Sequence, residues 1–305
     1  APSQLTSEPG MHGAVFSADL GSWIDLHHSR AHPPSVVLRP GGQTIHAPEP
    51  IDVALVTPEP FTFTNRDGVT LHGQVWKPKR LPAPLIVSVY GGPHAQTVLD
   101  AWTSTVSMRA QYLVSQGFVV MSVDNRGSAR RGIEFEGALL RRMGTVEVDD
   151  QTDGVAYAKS QGWVDGDRVG MYGWSYGGYM TLMCMLKSPE VFKAGVAGAP
   201  VTAWDGYDTF YTERYMRTPQ ANPDGYRYGS AMTHAANLRG KLMIVHGMID
   251  ENVHFRNTAR FLDALAKQNR AVDLLIYPEE RHSPRSEADR RNMEERIVEH
   301  FRAHL

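Results

Sequence analysis

From Phe61 onward the chain alternates short apolar runs with longer mixed stretches. The runs are LIVSVY (85–90), FVVMSVD (118–124), RVGMY (168–172), AGVAGAP (194–200), LMIVHG (242–247) and VDLLIYP (272–278). Most are continuous rather than alternating, which suits strands covered on both faces of a parallel sheet. Helices are expected between them. Over 254–268 the apolar positions Phe255, Ala259, Leu262 and Ala266 share one helical face. The segment 286–304 opens on Ser286 and Asp289, a capping pattern. Ahead of these units, FTFTNRDGVTLHGQVWKP carries two alternating strands about an Asp67-Gly68 turn, which predicts a hairpin.

Residues 11–46 follow a different pattern. GAVFSAD, SWIDLHHS and SVVLRP read as short strands broken by Gly, Pro and Asp, with no crossover helix. A meander of this size cannot hold a core by itself. It is expected to be the tail of a larger β domain, which makes the chain a C-terminal piece of a longer protein. The Pro-rich stretch at 46–60 is the expected junction. The expected division is therefore 1–46 for the terminal strands and 47–305 for the α/β unit.

Composition removes several classes of function. The 305 residues carry a formal charge of −2, and Lys and Arg are scattered, so no phosphate-binding stripe exists and no nucleic-acid partner is expected. No apolar run approaches the length of a membrane span. Cys184 is the single cysteine, which excludes an intrachain disulfide and favours a cytoplasmic or periplasmic setting, with the compartment otherwise open. It lies in an apolar helix and reads as a packing residue. Thirteen histidines are many, but HExxH and paired-cysteine spacings are lacking, so no metal or cofactor is assigned.

The chemistry-bearing motif is GWSYG at 173–177. It fits G-x-S-x-G, a turn in which a strand runs sharply into a helix and exposes the serine. The glycines are needed where the two backbones pass too closely for a β-carbon. RVGMY upstream reads as a buried strand, and GGYMTLMCMLKS downstream as a helix stopped by Pro189. Strand, serine, helix is the order this turn requires. A hairpin followed by βαβα units and such a turn is the order of the α/β-hydrolase fold.

A serine hydroxyl needs a histidine base, and that base needs a carboxylate to orient it. In this fold the order is Ser, Asp or Glu, His, in loops after later strands. Asp250 and Glu251 follow the strand LMIVHG; Asp250 is preferred because it lies nearer the strand end. His282 follows VDLLIYP and is the base expected there, while His246, inside a strand end, and His254, at a helix start, are expected to pack or cap. One oxyanion donor is expected to be the Tyr176 N–H. The second comes from YGGPHAQ (90–96): the N–H groups of Gly91 and Gly92, or the Tyr90 hydroxyl.

The motifs YGGPHAQ, DNRGS, GWSYGGYM, AGAPVTAWDGYDTFYTERYM, HGMIDENVHF and PEERHS together resemble the prolyl oligopeptidase family of serine peptidases. Within it they are most similar to the dipeptidyl peptidase IV branch. The resemblance implies an α/β-hydrolase domain after an N-terminal β-propeller, whose last strands would be residues 1 to 46. It implies Ser175, Asp250 and His282 as the triad and favours Tyr90 with Tyr176 for the oxyanion hole. It implies Trp204, Tyr207 and Tyr211 as aromatic walls of a proline pocket, with Val201, Val253 and Tyr176 nearby and Asn252 holding a substrate carbonyl. The implied reaction is release of X-Pro or X-Ala dipeptides from peptide N-termini. The implied partners are a peptide with Pro or Ala at its second position and the protein's own propeller, and the family allows a homodimer. A prolyl endopeptidase or acylaminoacyl peptidase of the same family is the alternative, and an inactive hydrolase-fold interaction module a remoter one. Ser283 replaces the family's usual glycine after the final His, a form similar to the intracellular dipeptidyl peptidases 8 and 9. The glutamates that bind a substrate amine in this family lie in the propeller, not in these residues.

Overall fold

In the computed structural model, which describes residues 3–49 and 51–305, the meander and the alternating units form two separate sheets. Pro50, inside the expected junction, lies outside the described residues, as do Ala1 and Pro2. The first sheet is antiparallel, with strands β1 (Met11–Phe16), β2 (Trp23–His28), β3 (Ser35–Arg39) and β4 (Gln43–His46) in sequential order. The sequence pattern gave three of these. The fourth, QTIH, is exposed throughout, and its one apolar residue, Ile45, sets up no alternation. It is identifiable only by its pairing with β3.

The second sheet has eight strands. They are β5 (Glu59–Thr64), β6 (Thr70–Trp76), β7 (Ala83–Val89), β8 (Val119–Asp124), β9 (Val164–Trp174), β10 (Ala194–Gly198), β11 (Lys241–Gly247) and β12 (Asp273–Tyr277). Their spatial order is β12-β11-β10-β9-β7-β8-β6-β5. The run from β12 to β8 is parallel, while β5 and β6 form the expected antiparallel hairpin at one edge. Strand β9 begins at Val164, ahead of the apolar run, because the polar VDGDR segment extends it.

The helices are α1 (Trp102–Thr105), α2 (Met108–Ser115), α3 (Ile133–Glu136), α4 (Val146–Ser160), α5 (Tyr176–Lys187), α6 (Thr209–Met216), α7 (Pro223–Tyr228), α8 (Arg256–Lys267) and α9 (Glu287–His304). Among the described residues, none is long and apolar enough to cross a membrane. Both faces of the central strands are covered, as the continuous apolar runs require. Leu85, Val87, Met121, Met171 and Ile244 pack with α4, α5 and α8 on one face. Ile86, Val120, Tyr172 and Val245 pack with α2 and α9 on the other. This is the α/β-hydrolase fold. Cys184 is buried in α5, as the apolar helix implied.

Helix α8 is rotated relative to the face read from its sequence. Ala259 and Ala266 are exposed, while Asn257, Thr258, Phe261 and Leu265 are buried. Phe261 and Leu265 bury more apolar surface than two alanines would. The polar members are accommodated because each has partners: Asn257 accepts from Thr202 N (3.1 Å) and Thr258 Oγ1 meets His246 Nδ1 (2.7 Å). The same polar contacts hold α8 against the strand end that precedes Asp250.

Candidate active site

Ser175, Asp250 and His282 each follow a parallel strand at its C-terminal end: β9, β11 and β12 respectively. The parallel register aligns those ends, with Gly198 beside Trp174 and Gly247 beside Tyr277. Ligands gather at this rim of an open parallel sheet.

Ser175 sits at the junction of β9 and α5 with φ 62° and ψ −115°, a conformation L-residues rarely adopt. Its amide donates to Gly198 O (2.8 Å), which braces the turn. A β-carbon on Gly173 would collide with the Gly177 carbonyl, and one on Gly177 with the Val89 carbonyl. The Ser175 side chain makes no capping bond to α5, so the helix does not occupy its hydroxyl.

The carboxylate that meets His282 is that of Asp250: Oδ2 lies 2.8 Å from His282 Nδ1. Glu251 is instead exposed and paired with Arg281 at 2.8 Å. Neither residue caps α8, which starts beyond both of them. Asp250 Oδ1 accepts from the Asn252 and Val253 amides, each at 2.9 Å. Burial pushes the Asp250 carboxyl up, but hydrogen bonds from His246 and His282 outweigh it and hold it below the usual carboxylate range. His282 is held from a second side, because Trp174 Nε1 donates to its carbonyl (2.7 Å). Among the described residues, His282 bonds through Nδ1 and its carbonyl, and its Nε2 has not engaged Ser175. Such bonds are commonly long or unformed until substrate binds.

His246, expected to pack or cap, does pack, against Phe255 (ring centroids 5.5 Å), and it also meets the Asp250 carboxylate. It is fully buried, with Nε2 3.2 Å from Asp250 Oδ2 and 2.8 Å from the Val253 carbonyl. Both partners are acceptors, so Nε2 carries a proton and donates. Asp250 Oδ2 therefore receives two imidazoles, one buried and fixed, one facing the rim. The signal available in the sequence was its position four residues before Asp250, at the end of the same strand.

The predicted pocket residues come together. Trp204 stacks on Tyr211 (ring centroids 6.2 Å) and meets Tyr207 edge-on at the same separation, and Tyr207 and Tyr211 are 5.4 Å apart. Trp204 also packs on Tyr176 at 5.4 Å. At 1 % exposure Trp204 is a backing layer rather than a surface wall; Tyr207 and Tyr211 are the partly exposed faces. The sequence pattern placed no helix here, yet Tyr211 stands on α6, which Asp208 caps by accepting from Tyr211 N (2.8 Å). Tyr207 donates to Asn252 Oδ1 (2.8 Å), a bond that does not use the amide NH2 of Asn252. Val201 and Val253 are buried beneath.

Tyr90 follows β7, and its ring lies 6.1 Å from that of Tyr176. Burial and the nearby Tyr215 push its phenol up, so it stays a donor. Gly92 is tight as well: an added β-carbon would lie 2.7 Å from Tyr176 Cγ. Tyr176 itself is anchored by Glu147, a fully buried carboxylate the sequence did not single out. Glu147 accepts from the Tyr176 hydroxyl and from the Gly144 and Thr145 amides, all at 2.9 Å. Burial pushes Glu147 up, against these bonds.

A family model described as the prolyl oligopeptidase family matches residues 104–305. The chain belongs to the prolyl oligopeptidase family. Dipeptidyl peptidase 8 of Mus musculus is 44 % identical over 236 residues, which is 75 % of this chain and 26 % of that protein. Dipeptidyl peptidase 4 of Sus scrofa is 38 % identical over 229 residues, 71 % of this chain and 30 % of that protein. The crystal structure of Porphyromonas gingivalis dipeptidyl peptidase 4 superposes with a TM-score of 0.92 at 33 % identity, covering 99 % of this chain and 45 % of that one. The chain thus spans under a third of these curated relatives and under half of the solved chain.

Proposed function

We propose that this chain is the hydrolase part of a serine dipeptidyl aminopeptidase that releases X-Pro or X-Ala dipeptides from peptide N-termini. One observation carries this reading. The Trp204–Tyr207–Tyr211 cluster packs on Tyr176, next to Ser175, and is tied through Asn252 to the loop that presents Asp250. A proline ring is flat and apolar, so facing aromatic walls hold it well, and Trp204 behind these walls packs on Tyr176, the residue after Ser175.

In the proposed reaction His282 takes the Ser175 proton as Oγ attacks the carbonyl of the second residue. Asp250 fixes the imidazole and stabilises its cation. The Tyr176 N–H and the Tyr90 hydroxyl donate to the oxyanion. His282 then gives the proton to the leaving amine, and water releases the dipeptide from the acyl-enzyme by the same steps reversed. Asn252 holds a substrate carbonyl through its amide NH2. Residues 47–305 form this catalytic unit. Residues 1–46 are the last strands of an N-terminal β-propeller; four antiparallel strands are the size of one blade.

The test compares H-X-Pro and acetyl-X-Pro amides, using the 305-residue chain and a longer protein that includes the preceding domain. The longer protein should prefer the free amine strongly, and the chain alone should cleave both poorly. Equal rates on free and blocked substrates by the longer protein would favour an endopeptidase instead. A strong free-amine preference by the chain alone would place the amine site within these residues, against the proposal.

A further inference from the structure

At the opposite end of the sheet from Ser175, three side chains from two elements converge. His300 and His304 stand one turn apart on α9, at i and i+4, and Asp273 opens β12. The two rings are 4.9 Å apart between centroids, and one ligating atom from each of the three residues lies within 4.8 Å of the others. A histidine pair at this helical spacing points both imidazoles at one point.

The surroundings of His300 give the cluster its direction. Its side chain is 4 % exposed. Nε2 lies 3.2 Å from the Lys241 carbonyl, and Nδ1 lies 3.5 Å from Asp273 Oδ2. Both ring nitrogens thus face oxygens that only accept. With the Nε2 proton given to Lys241, the Nδ1 lone pair faces a carboxylate, an arrangement completed by a cation between them. An imidazole that donates its far N–H to a backbone carbonyl is also the arrangement that orients metal-bound histidines. The end of α9 adds to this, because the carbonyl end of a helix favours positive charge. Asp273 is 66 % exposed and His304 partly exposed, so an ion has a path from solvent and room for a water ligand.

We propose that His300, His304 and Asp273 form a binding site for a first-row divalent metal ion of the Zn²⁺ class. Two imidazoles and one carboxylate suit zinc and its neighbours rather than Mg²⁺ or Ca²⁺, which take oxygen ligands. The ion would be structural. It would join the first residue of β12 to the last turn of α9, the two elements that flank the loop carrying His282.

The experiment titrates the chelator-stripped 305-residue chain with Zn²⁺ alone by calorimetry and with Co²⁺ alone by visible absorption. It uses Asp273→Asn, His304→Gln and the double variant, whose exposed or half-exposed side chains can be changed without opening the core. The wild type should bind one equivalent of Zn²⁺ that each single variant binds at least about tenfold more weakly, since loss of an outer partner alone costs that much. Its Co²⁺ spectrum should vanish in the double variant, and Zn²⁺ should raise the unfolding temperature of the wild type only. A wild-type isotherm or Co²⁺ spectrum matched by the double variant would overturn the proposal, as would no saturable equivalent in the wild type. Those results would leave His300 as a buried ring that donates to the Lys241 carbonyl beside Asp273.

Discussion

Asp250 places two imidazoles on one carboxylate oxygen, and that arrangement makes the residue-scale claims testable. Asp250→Asn should lower turnover by orders of magnitude, because an amide can donate to His282 Nδ1 and so favours the wrong tautomer. Glu251→Gln should cost little, since Glu251 is exposed and pairs with Arg281 rather than with His282. Steady-state kinetics on a Pro-linked amide checks the ranking, and the reverse order would reassign the acid. The pH sign follows from the depressed Asp250 carboxyl. Its stabilising contribution is present above about pH 4, the ordinary carboxylate range, and is lost as pH falls through the lower folded-state value. Asp250→Asn should therefore flatten the acid limb of stability measured by denaturant unfolding. In the proposed reaction His246 is a positioning residue that acts through Asp250. A hydrogen bond to a charged group contributes roughly 1.5–3 kcal/mol, so His246→Leu should lower kcat by about 10- to 100-fold with KM little changed. His246→Gln, which can still donate to Asp250, should recover part of the loss. Equal losses in both variants, accompanied by lower stability, would mark His246 as packing only.

At the scale of elements, the parallel strands and the turn at Ser175 were legible because burial on both faces writes itself as continuous apolar runs, and because Gly173 and Gly177 have no room for a β-carbon. Strand β4 was not legible, being short and exposed with a single apolar residue. The orientation of α8 was misread because alanines were weighed like larger apolar residues, while Asn257 and Thr258 are buried through partners distant in sequence. The bond of His246 to Asp250 and the anchoring role of Glu147 are not legible for the same reason: they depend on Asp250 and Tyr176 as the fold places them. The aromatic cluster is the element-scale feature with the sharpest consequence. Tyr211 packs between Trp204 and Tyr215, so its ring is held by aromatic neighbours. Tyr211→Ala should reduce kcat/KM for Pro amides by at least about tenfold, the loss of one well-placed aromatic contact and of ring orientation. Hydrolysis of a small ester should fall far less. Parallel losses on both substrates would indicate a structural tyrosine instead of a pocket wall.

For the whole molecule, the proposed nucleophile, acid, base and oxyanion donors all come from one eight-stranded sheet and its loops. The four-stranded sheet touches that unit near α1: His28 Nδ1 accepts from Trp102 N (3.1 Å) and the Arg30 carbonyl from Thr105 Oγ1 (2.7 Å). Chemistry at the serine is therefore proposed to need only this chain, and recognition of a peptide's amine to need a preceding domain. Reaction with a small fluorophosphonate separates the two, because that reagent requires the activated serine and no peptide contacts. The 305-residue chain is treated with the reagent, digested and mapped by mass. The account predicts a single stoichiometric adduct on Ser175, lost in a folded Ser175→Ala protein. A folded wild-type chain that gives no adduct, or an adduct on another residue, would contradict it.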